Sequence, residues 1–235
     1  MSAADIELRE VRKSYYKDRL EIPVLQGLDL EIEAGEYVAL MGPSGSGKST
    51  LLHLLAGLDR PDGGSVRVGE AHLESMSERE RTRWRSRHIG FVFQMYYLVP
   101  VLTAQQNVEL PLLLFRMSSA ERRERVGTAL DVVGLTDRAD HRPNQLSGGQ
   151  EQRVAIARAI VTDPDVILAD EPTGDLDAKT SGEILDLLQL LNTDFGKTIV
   201  IVTHDQRAAD RARRLLHLDK GVFERDEARQ ASSAS

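Results

Sequence analysis

The chain has 235 residues with 30 basic and 37 acidic side chains, which gives a formal net charge of −7 at pH 7. This balance argues against a general nucleic-acid coat protein, which would need a basic face, and we expect no nucleic-acid partner. The lack of cysteine excludes disulfides, thiolate zinc sites and cysteine nucleophiles. The sequence contains no apolar run near the ~20 residues that cross a bilayer, so we expect a cytoplasmic chain.

Three segments near the N-terminus alternate between apolar and polar residues. They cover residues 6–11, 28–32 and 66–68. A period of two is typical of strands with one face in solvent. These segments therefore predict an N-terminal antiparallel sheet.

Four further segments are nearly continuous apolar runs, at residues 37–41, 89–93, 166–169 and 199–202. Such runs are typical of parallel strands that are buried on both faces. Each run is followed by residues of a functional type, namely Gly42, Gln94, Asp170-Glu171 and Thr203-His204. Ligands of open parallel sheets bind at the carboxyl ends of the strands, so we expect these residues to face one crevice.

The segment from about residue 95 to 161 has a different character. Its apolar residues follow helical spacing, as in Val126, Leu130 and Val133. We predict that residues 1–225 form one α/β domain with an inserted helical lobe at about 95–161. The small polar residues at 226–235 predict a disordered tail.

Residues 42–49 match the phosphate-loop pattern G-x-x-x-x-G-K-[ST] and lie between a predicted strand and a predicted helix. Backbone N–H groups of such a loop surround a phosphate chain, and the following helix adds its positive end. Lys48 is expected to reach the outer phosphates and to act in catalysis, while the Ser49 hydroxyl is expected to bind Mg²⁺. The expected phosphate-binding residues are Gly42, Pro43, Ser44, Gly45, Ser46, Gly47, Lys48, Ser49 and Thr50.

Two adjacent carboxylates follow the third apolar run. Phosphoryl transfer needs one group that holds Mg²⁺ and another that orients the attacking water. We assign Asp170 to the metal and Glu171 to the water. A pair of solvated acids would not explain the buried run before them.

The segment Leu146-Ser147-Gly148-Gly149-Gln150 precedes a predicted helix. Ser147 is a good N-cap, and the two glycines leave the first amides of the helix uncovered. The segment therefore predicts either an anion-binding helix start or a simple cap.

With these motifs in this order, the sequence resembles the nucleotide-binding domains of ATP-binding cassette (ABC) ATPases, from about Ile6 to Phe223. The unaltered LSGGQ of residues 146–150, which we call the signature segment, distinguishes that family from other phosphate-loop proteins. The neighbouring residues 57–61, 141–145 and 169–174 resemble the branch of the macrolide-exporter (MacB) and lipoprotein-release (LolD) ATPases. The resemblance implies a RecA-like core with an N-terminal antiparallel β subdomain and an inserted α-helical subdomain.

The resemblance also implies roles for individual residues. Tyr15 resembles the aromatic residue that stacks on adenine, although the neighbouring Tyr16 is an alternative. Gln94 resembles the glutamine that contacts Mg²⁺ and water, and His204 resembles the histidine that contacts the γ-phosphate. Asp177 resembles an aspartate at the dimer interface. The signature residues Ser147, Gly148, Gly149 and Gln150 are expected to contact the nucleotide of the other subunit.

In this family, two chains associate head to tail, enclose two Mg-ATP molecules between them and power a membrane permease. The resemblance thus implies a homodimer that lies at the inner face of the cell membrane through a separate permease subunit. A cell-division ATPase resembling FtsE, whose membrane partner transports nothing, has the same ATP-site residues and remains an alternative. A chromosome-type ATPase would need a long coiled coil between the motifs, which residues 94–146 cannot contain.

Two segments have no role in this scheme. Arginines at 79, 81, 83, 85 and 87 surround Trp84 and predict a solvated helix face or a contact with lipid phosphate or a partner. Residues 95–102 form an apolar and aromatic run that predicts either lobe packing or a docking site for a membrane partner.

Overall fold

Two β-sheets organise the chain in the computed structural model, which describes residues 3–228. The first sheet is antiparallel, with the strand order β2-β1-β4-β5. Its strands are β1 Ile6–Lys17, β2 Leu20–Ile32, β4 Gly63–Val68 and β5 Ala71–His72. The three alternating segments lie in β1, β2 and β4, which confirms the predicted antiparallel sheet.

The second sheet contains the four apolar runs. Its strands are β3 Tyr37–Met41, β6 Ile89–Phe93, β7 Val166–Asp170, β8 Thr198–Val202, β9 Arg214–Asp219 and β10 Val222–Ala228. The order is β10-β9-β3-β8-β7-β6, and all neighbours are parallel except β9 and β10. The carboxyl ends of β3, β6, β7 and β8 therefore lie at one edge of the sheet.

Helices connect and cover these strands. Their bounds are α1 Lys48–Leu55, α2 Glu78–His88, α3 Ala104–Glu109, α4 Ser119–Val132, α5 Gly148–Ile160, α6 Ala178–Thr193 and α7 Gln206–Ala209. Short 3₁₀ helices lie at Leu73–Ser75, Leu110–Leu114, Thr136–Arg138 and Pro143–Gln145. Each of α2, α3, α4 and α5 begins with a capping box. In a capping box, the side chain of a Ser or Thr accepts from the backbone N–H of the Glu or Gln three residues later, whose side chain accepts from the backbone N–H of the Ser or Thr.

The parallel sheet has a hydrophobic core on each face. Alternate strand residues such as Ile167 and Ile201 pack with α4, α5 and α6. Their neighbours, such as Leu168 and Val200, pack with α1 and the antiparallel sheet. Burial on both faces explains why these strands are continuous apolar runs in the sequence.

The chain between β6 and β7 folds into α3, α4, α5 and three of the 3₁₀ helices. This is the stretch in which the sequence predicts a helical lobe. At the C-terminus, residues 226–228 belong to β10 and pair with β9, so the predicted tail begins too early. Residues 229–235, where the rest of that prediction falls, lie outside the described residues.

The arginine-rich segment forms α2, and its arginines separate into two faces. Arg79, Arg83 and Arg87 are exposed, as a solvated helix face requires. Arg81 is only 3 % exposed and contacts Glu78 and the carbonyl of Asp59, while Arg85 donates to the carbonyl of Gly57 at 2.7 Å. The prediction of a solvated face is therefore wrong for Arg81 and Arg85, which connect α2 to the turn after α1.

None of the helices within residues 3–228 is long and apolar enough to cross a membrane.

Candidate functional site

A cleft of about 680 Å³ opens at the carboxyl ends of β3, β6, β7 and β8. We call it the strand-end cleft. The predicted site residues that line it are Tyr15, Gly42, Ser44, Gly45, Gly47, Lys48, Ser49, Thr50, Gln94, Asp170, Glu171 and His204. The expectation that the residues after the four apolar runs face one crevice is confirmed for Gly42, Gln94, Asp170, Glu171 and His204, whereas Thr203 is not among the residues that line this cleft.

The phosphate loop, residues 42–49, has a backbone that requires glycine at two close approaches. Gly42 has φ 153°, and a Cβ there would lie 2.0 Å from the carbonyl oxygen of Leu218. Gly47 has φ 107°, and a Cβ there would lie 2.8 Å from Leu25. These positions allow the loop to curve closely between β3 and α1.

Gly47 is also the N-cap of α1, so no side chain covers the first amides of that helix. The Lys48 ammonium crosses the loop and donates to the carbonyls of Gly42 and Pro43, both at 2.8 Å. The Ser46 hydroxyl is buried and has no hydrogen-bond partner among residues 3–228. Free helix amides, a lysine and an unpaired hydroxyl in one loop form a suitable environment for an anion.

Three oxygen-bearing side chains lie around the cleft where a magnesium ion is expected. Ser49, Gln94 and Asp170 come from α1, the end of β6 and the end of β7, and all three line the same cleft. Hydroxyl, amide and carboxylate oxygens are the ligands that Mg²⁺ prefers, usually together with water and substrate phosphates. The residues present therefore fit the ion.

Glu171 and His204 form a pair at the ends of β7 and β8. The Nδ1 atom of His204 lies 2.5 Å from Oε2 of Glu171. Glu171 has φ 49°, which is uncommon for a residue other than glycine, and its N–H donates to the carbonyl of Val202 at 2.9 Å. The pairing of the two strands thus continues one residue beyond β7 and fixes the backbone that carries the carboxylate.

Tyr15 lies in the cleft wall and is fixed by polar neighbours. Its hydroxyl donates to Asp59 at 3.0 Å, and the ammonium of Lys13 lies 5.3 Å from its ring centroid. Burial acts to raise the pKa of Asp59, but hydrogen bonds from Lys13, Tyr15 and the Arg60 backbone bring that pKa below its usual value. Tyr16 is 71 % exposed and does not line the cleft, so Tyr15 is the one of these two adjacent tyrosines that lies in the cleft.

The signature segment lies elsewhere. Among the residues described, those that line the strand-end cleft include none of Ser147, Gly148, Gly149, Gln150 or Asp177. Ser147 is the N-cap of α5, as predicted, with its Oγ accepting from the Gln150 amide at 3.3 Å. Asp177 caps α6 in the same way, and its pKa is lowered by hydrogen bonds from the Thr180 hydroxyl and backbone.

The starts of α5 and α6 are in contact, because a Cβ on Gly149 would lie 2.3 Å from Cγ2 of Thr180. Signature residues and Asp177 therefore form one surface, separate from the cleft of the same chain.

Several residues of the cleft were not identified from the sequence. Val24 and Phe93 line it, and Lys13 and Asp59 fix Tyr15 from outside. Phe93 ends the apolar run 89–93, whose pattern indicates burial alone, and Val24 lies in the part of β2 that precedes the alternating segment 28–32. Lys13 and Asp59 are 46 positions apart, and no local pattern connects them.

Comparisons with known proteins agree with this geometry. Residues 25–174 match the ABC transporter family. The chain is 50 % identical over 226 residues to the macrolide export ATP-binding/permease protein MacB of Rhodopseudomonas palustris (strain HaA2), covering 96 % of this chain and 34 % of that protein. It is 47 % identical to the lipoprotein-releasing system ATP-binding protein LolD of Legionella pneumophila (strain Lens), covering 91 % of this chain and 94 % of that protein. The chain thus spans about a third of MacB and nearly all of LolD.

Among solved structures, a dimeric post-hydrolysis state of the ATP-binding cassette MJ0796 with ADP and Pi superimposes with a TM-score of 0.88 at 46 % identity. The match covers 96 % of this chain and 99 % of that one. MJ0796 is an ABC transporter ATP-binding protein of Methanocaldococcus jannaschii. The family match, the relatives and the shared fold establish that the chain belongs to the ABC transporter family, as an ATPase cassette.

Proposed function

We propose that two copies of this chain bind two Mg-ATP head to tail, hydrolyse them, and thereby power a separate membrane permease of the MacB or LolD type. The observation that carries this proposal is the separation of the signature segment from the strand-end cleft of its own chain. Each chain has one of each, so a symmetric dimer would supply both parts to two equal sites. The dimeric structure of the MJ0796 cassette, which has a similar fold, supports the formation of a dimer.

The phosphate loop binds the ATP phosphates through the amides at the start of α1 and through Lys48. Magnesium, held by Ser49, Gln94 and Asp170, would neutralise charge on the phosphates. Tyr15 stacks on adenine at the open side of the cleft. The signature segment of the partner closes over the phosphates with the N-terminal end of α5.

Glu171 orients the attacking water in this scheme and accepts its proton as the bond to the γ-phosphate breaks. His204, in contact with Glu171, lies beside the developing charge and holds the carboxylate in place. Placement of the water and stabilisation of charge are the main contributions a protein makes to phosphoryl transfer. ADP and phosphate then leave as the two chains separate.

An exposed apolar segment after Gln94 is our proposed docking site for the permease. Met95, Tyr97 and Val101 are 63 %, 65 % and 72 % exposed, so lobe packing does not explain them. Leu98 is partly buried and packs against the core of the helical lobe. Exposed apolar residues next to a nucleotide-contacting glutamine are suited to a partner that responds to the nucleotide state.

The test has two parts. Purified chain should hydrolyse ATP in the presence of Mg²⁺ and lose that activity with EDTA. Tagged chain extracted from detergent-solubilised membranes should co-purify with an integral membrane protein, and transport by the reconstituted pair should depend on ATP. A chain without Mg²⁺-dependent hydrolysis contradicts the enzymatic part. A partner that stimulates hydrolysis but moves no substrate would instead favour the FtsE-like alternative.

A further inference from the structure

Helix α5, which begins at the signature segment, holds the backbone on both sides of Gln94. Gln152 contacts the chain just before Gln94, and Arg158 contacts it just after. Between them on α5, Val154, Ala155, Ile156 and Ala157 are apolar and buried, whereas Arg153 is partly exposed on another side of the helix. The two long polar side chains are therefore exceptions on the inner side of this helix.

Arg158 donates two hydrogen bonds of 2.6 Å to consecutive backbone carbonyls, from Nη1 to Tyr97 and from Nη2 to Tyr96. Burial lowers the pKa of its guanidinium, which means that desolvation of this charge costs free energy. Within residues 3–228, its hydrogen bonds go to these two carbonyls alone. A charge retained at such a cost indicates a specific structural task.

The backbone that Arg158 holds is itself unusual. Tyr97 has φ 49°, a left-handed conformation that costs free energy for a tyrosine. Its ring packs edge-on against Phe93 with centroids 5.2 Å apart. The fork of Arg158 fixes this turn, and with it the path of the chain as it leaves Gln94.

Gln152 is fully buried and reaches two strand ends. Its Nε2 donates to the carbonyl of Pro172 at 2.6 Å and lies 3.5 Å from the carbonyl of Phe93. Pro172 directly follows Glu171, and Phe93 directly precedes Gln94. Gln152 thus connects α5 to the backbone beside both the proposed water-orienting carboxylate and the proposed metal ligand.

The Gln94 side chain has little freedom between these contacts. A Cβ on Gly174 would lie 2.9 Å from its Nε2, and the same Nε2 lies 3.4 Å from Oδ1 of Asp175. A small rotation of α5 would therefore move the backbone of residues 93–97 and displace the Gln94 amide from the cleft.

We propose that Arg158 and Gln152 are positioning residues for Gln94, through which the helix that begins at the signature segment sets the place of the Gln94 amide in the cleft. This inference rests on the proposed role of Gln94 in ATP hydrolysis. Because the start of α5 serves the other ATP in the proposed dimer, the same contacts make each Gln94 dependent on the occupancy of the second site.

A double-mutant cycle tests the inference on the full-length chain with Mg-ATP. Arg158→Ala should lower kcat about tenfold or more, since a small misplacement of a catalytic group has effects of that size. KM should stay within about twofold, because the phosphate loop is unchanged. In a Gln94→Ala background, Arg158→Ala should lower kcat by less than about twofold, because its effect passes through Gln94.

Arg153→Ala is the matched control on the same helix. Arg153 donates to the carbonyl of Val133 and pairs with Glu183, away from Gln94. Its loss should leave kcat unchanged. Arg158→Lys keeps the charge but lacks the two-pronged fork, so it should recover part of the activity. Thermal unfolding midpoints verify that each variant is folded.

If Arg158→Ala fails to fold, Arg158→Lys and Gln152→Leu take its place in the cycle. The inference would be overturned if the fold losses of kcat from the α5 substitution and from Gln94→Ala multiplied in the double variant. It would also be overturned if the α5 substitution alone left kcat equal to that of the unaltered chain. The unaltered chain and Glu171→Gln are measured alongside. If the unaltered chain is active and Glu171→Gln is not, the proposed function stands whatever the cycle shows, whereas an inactive unaltered chain overturns both.

Discussion

Nδ1 of His204 lies 2.5 Å from Oε2 of Glu171, which joins the ends of two neighbouring parallel strands through their side chains. The His204 side chain is 73 % exposed and that of Glu171 is 22 % exposed. The carboxylate is thus recessed in the cleft while the imidazole borders solvent. This arrangement leaves one oxygen of Glu171 for a water molecule when the other is held by His204.

Replacement of Glu171 by Gln should separate binding from hydrolysis. The amide keeps the size of the side chain but cannot accept the proton of the attacking water, so turnover should fall about a hundredfold or more. ATP affinity should change little, because the phosphate loop is intact. Phosphate release measures turnover, and equilibrium dialysis measures affinity. Turnover equal to that of the unaltered chain would remove Glu171 from this role.

Replacement of Lys48 by Ala, in contrast to Glu171→Gln, should weaken ATP binding itself. The ammonium lies in the phosphate loop and would bind the outer phosphates directly, so ATP affinity should fall about tenfold or more. Titration with a fluorescent ATP analogue measures this change. Because Lys48 also holds the loop carbonyls of Gly42 and Pro43, the unfolding temperature is recorded as a control. An unchanged affinity would contradict the phosphate role.

The two adjacent tyrosines offer a matched comparison for adenine binding. Tyr15 lines the cleft, whereas Tyr16 is 71 % exposed outside it. Tyr15→Ala should weaken ATP binding about fivefold or more, since stacking on a base contributes about 1–3 kcal/mol. Tyr16→Ala should leave binding unchanged. Equal effects of both substitutions would mean that neither ring stacks on the base.

The docking segment can be tested without disturbing the cleft. Val101→Asp places a charge on a side chain that is 72 % exposed, so the isolated chain should keep its fold and its ATPase activity. Binding to the permease, or ATP-driven transport, should fall because the apolar contact is lost. Leu98→Asp is unsuitable for this purpose, since Leu98 packs against the core of the lobe. Unchanged partner binding by Val101→Asp would exclude this part of the segment from the interface.

The sequence was informative where local pattern and structure coincide. The buried parallel strands were predicted because burial on both faces makes them apolar throughout, and β3 and β6 have the predicted bounds. The phosphate loop was recognisable because its glycines and lysine are needed at fixed spacing. Strands β9 and β10 were missed, since β10 is an exposed edge strand of mostly charged residues that only its pairing with β9 defines.

Local sequence patterns also do not predict which segments that are distant in the chain lie together in the fold. The sequence identified Ser147 as a helix cap, but its location away from the cleft of the same chain depends on how the lobe packs. The sequence analysis also did not predict that Arg81 and Arg85 turn away from solvent, for a similar reason. Alternation of arginine along α2 indicates solvent, whereas their partners are backbone carbonyls of the turn after α1.

In the proposed dimer, each ATP lies between the phosphate loop of one chain and the signature segment of the other. Mixed dimers carrying Lys48→Ala and Ser147→Arg test it, with Glu171→Gln in every chain to prevent hydrolysis. Dimers are assembled either with the first two changes on different chains or with both on the same chain. Bound ATP per dimer is then measured after removal of free nucleotide.

With the changes on different chains, the head-to-tail arrangement places both in one site, so these dimers should retain one ATP. With both changes on one chain, each site is damaged once, and the dimers should retain none. The reverse result, in which dimers with both changes on one chain keep an ATP and the others do not, would show that each site is built within a single chain and would contradict the head-to-tail dimer.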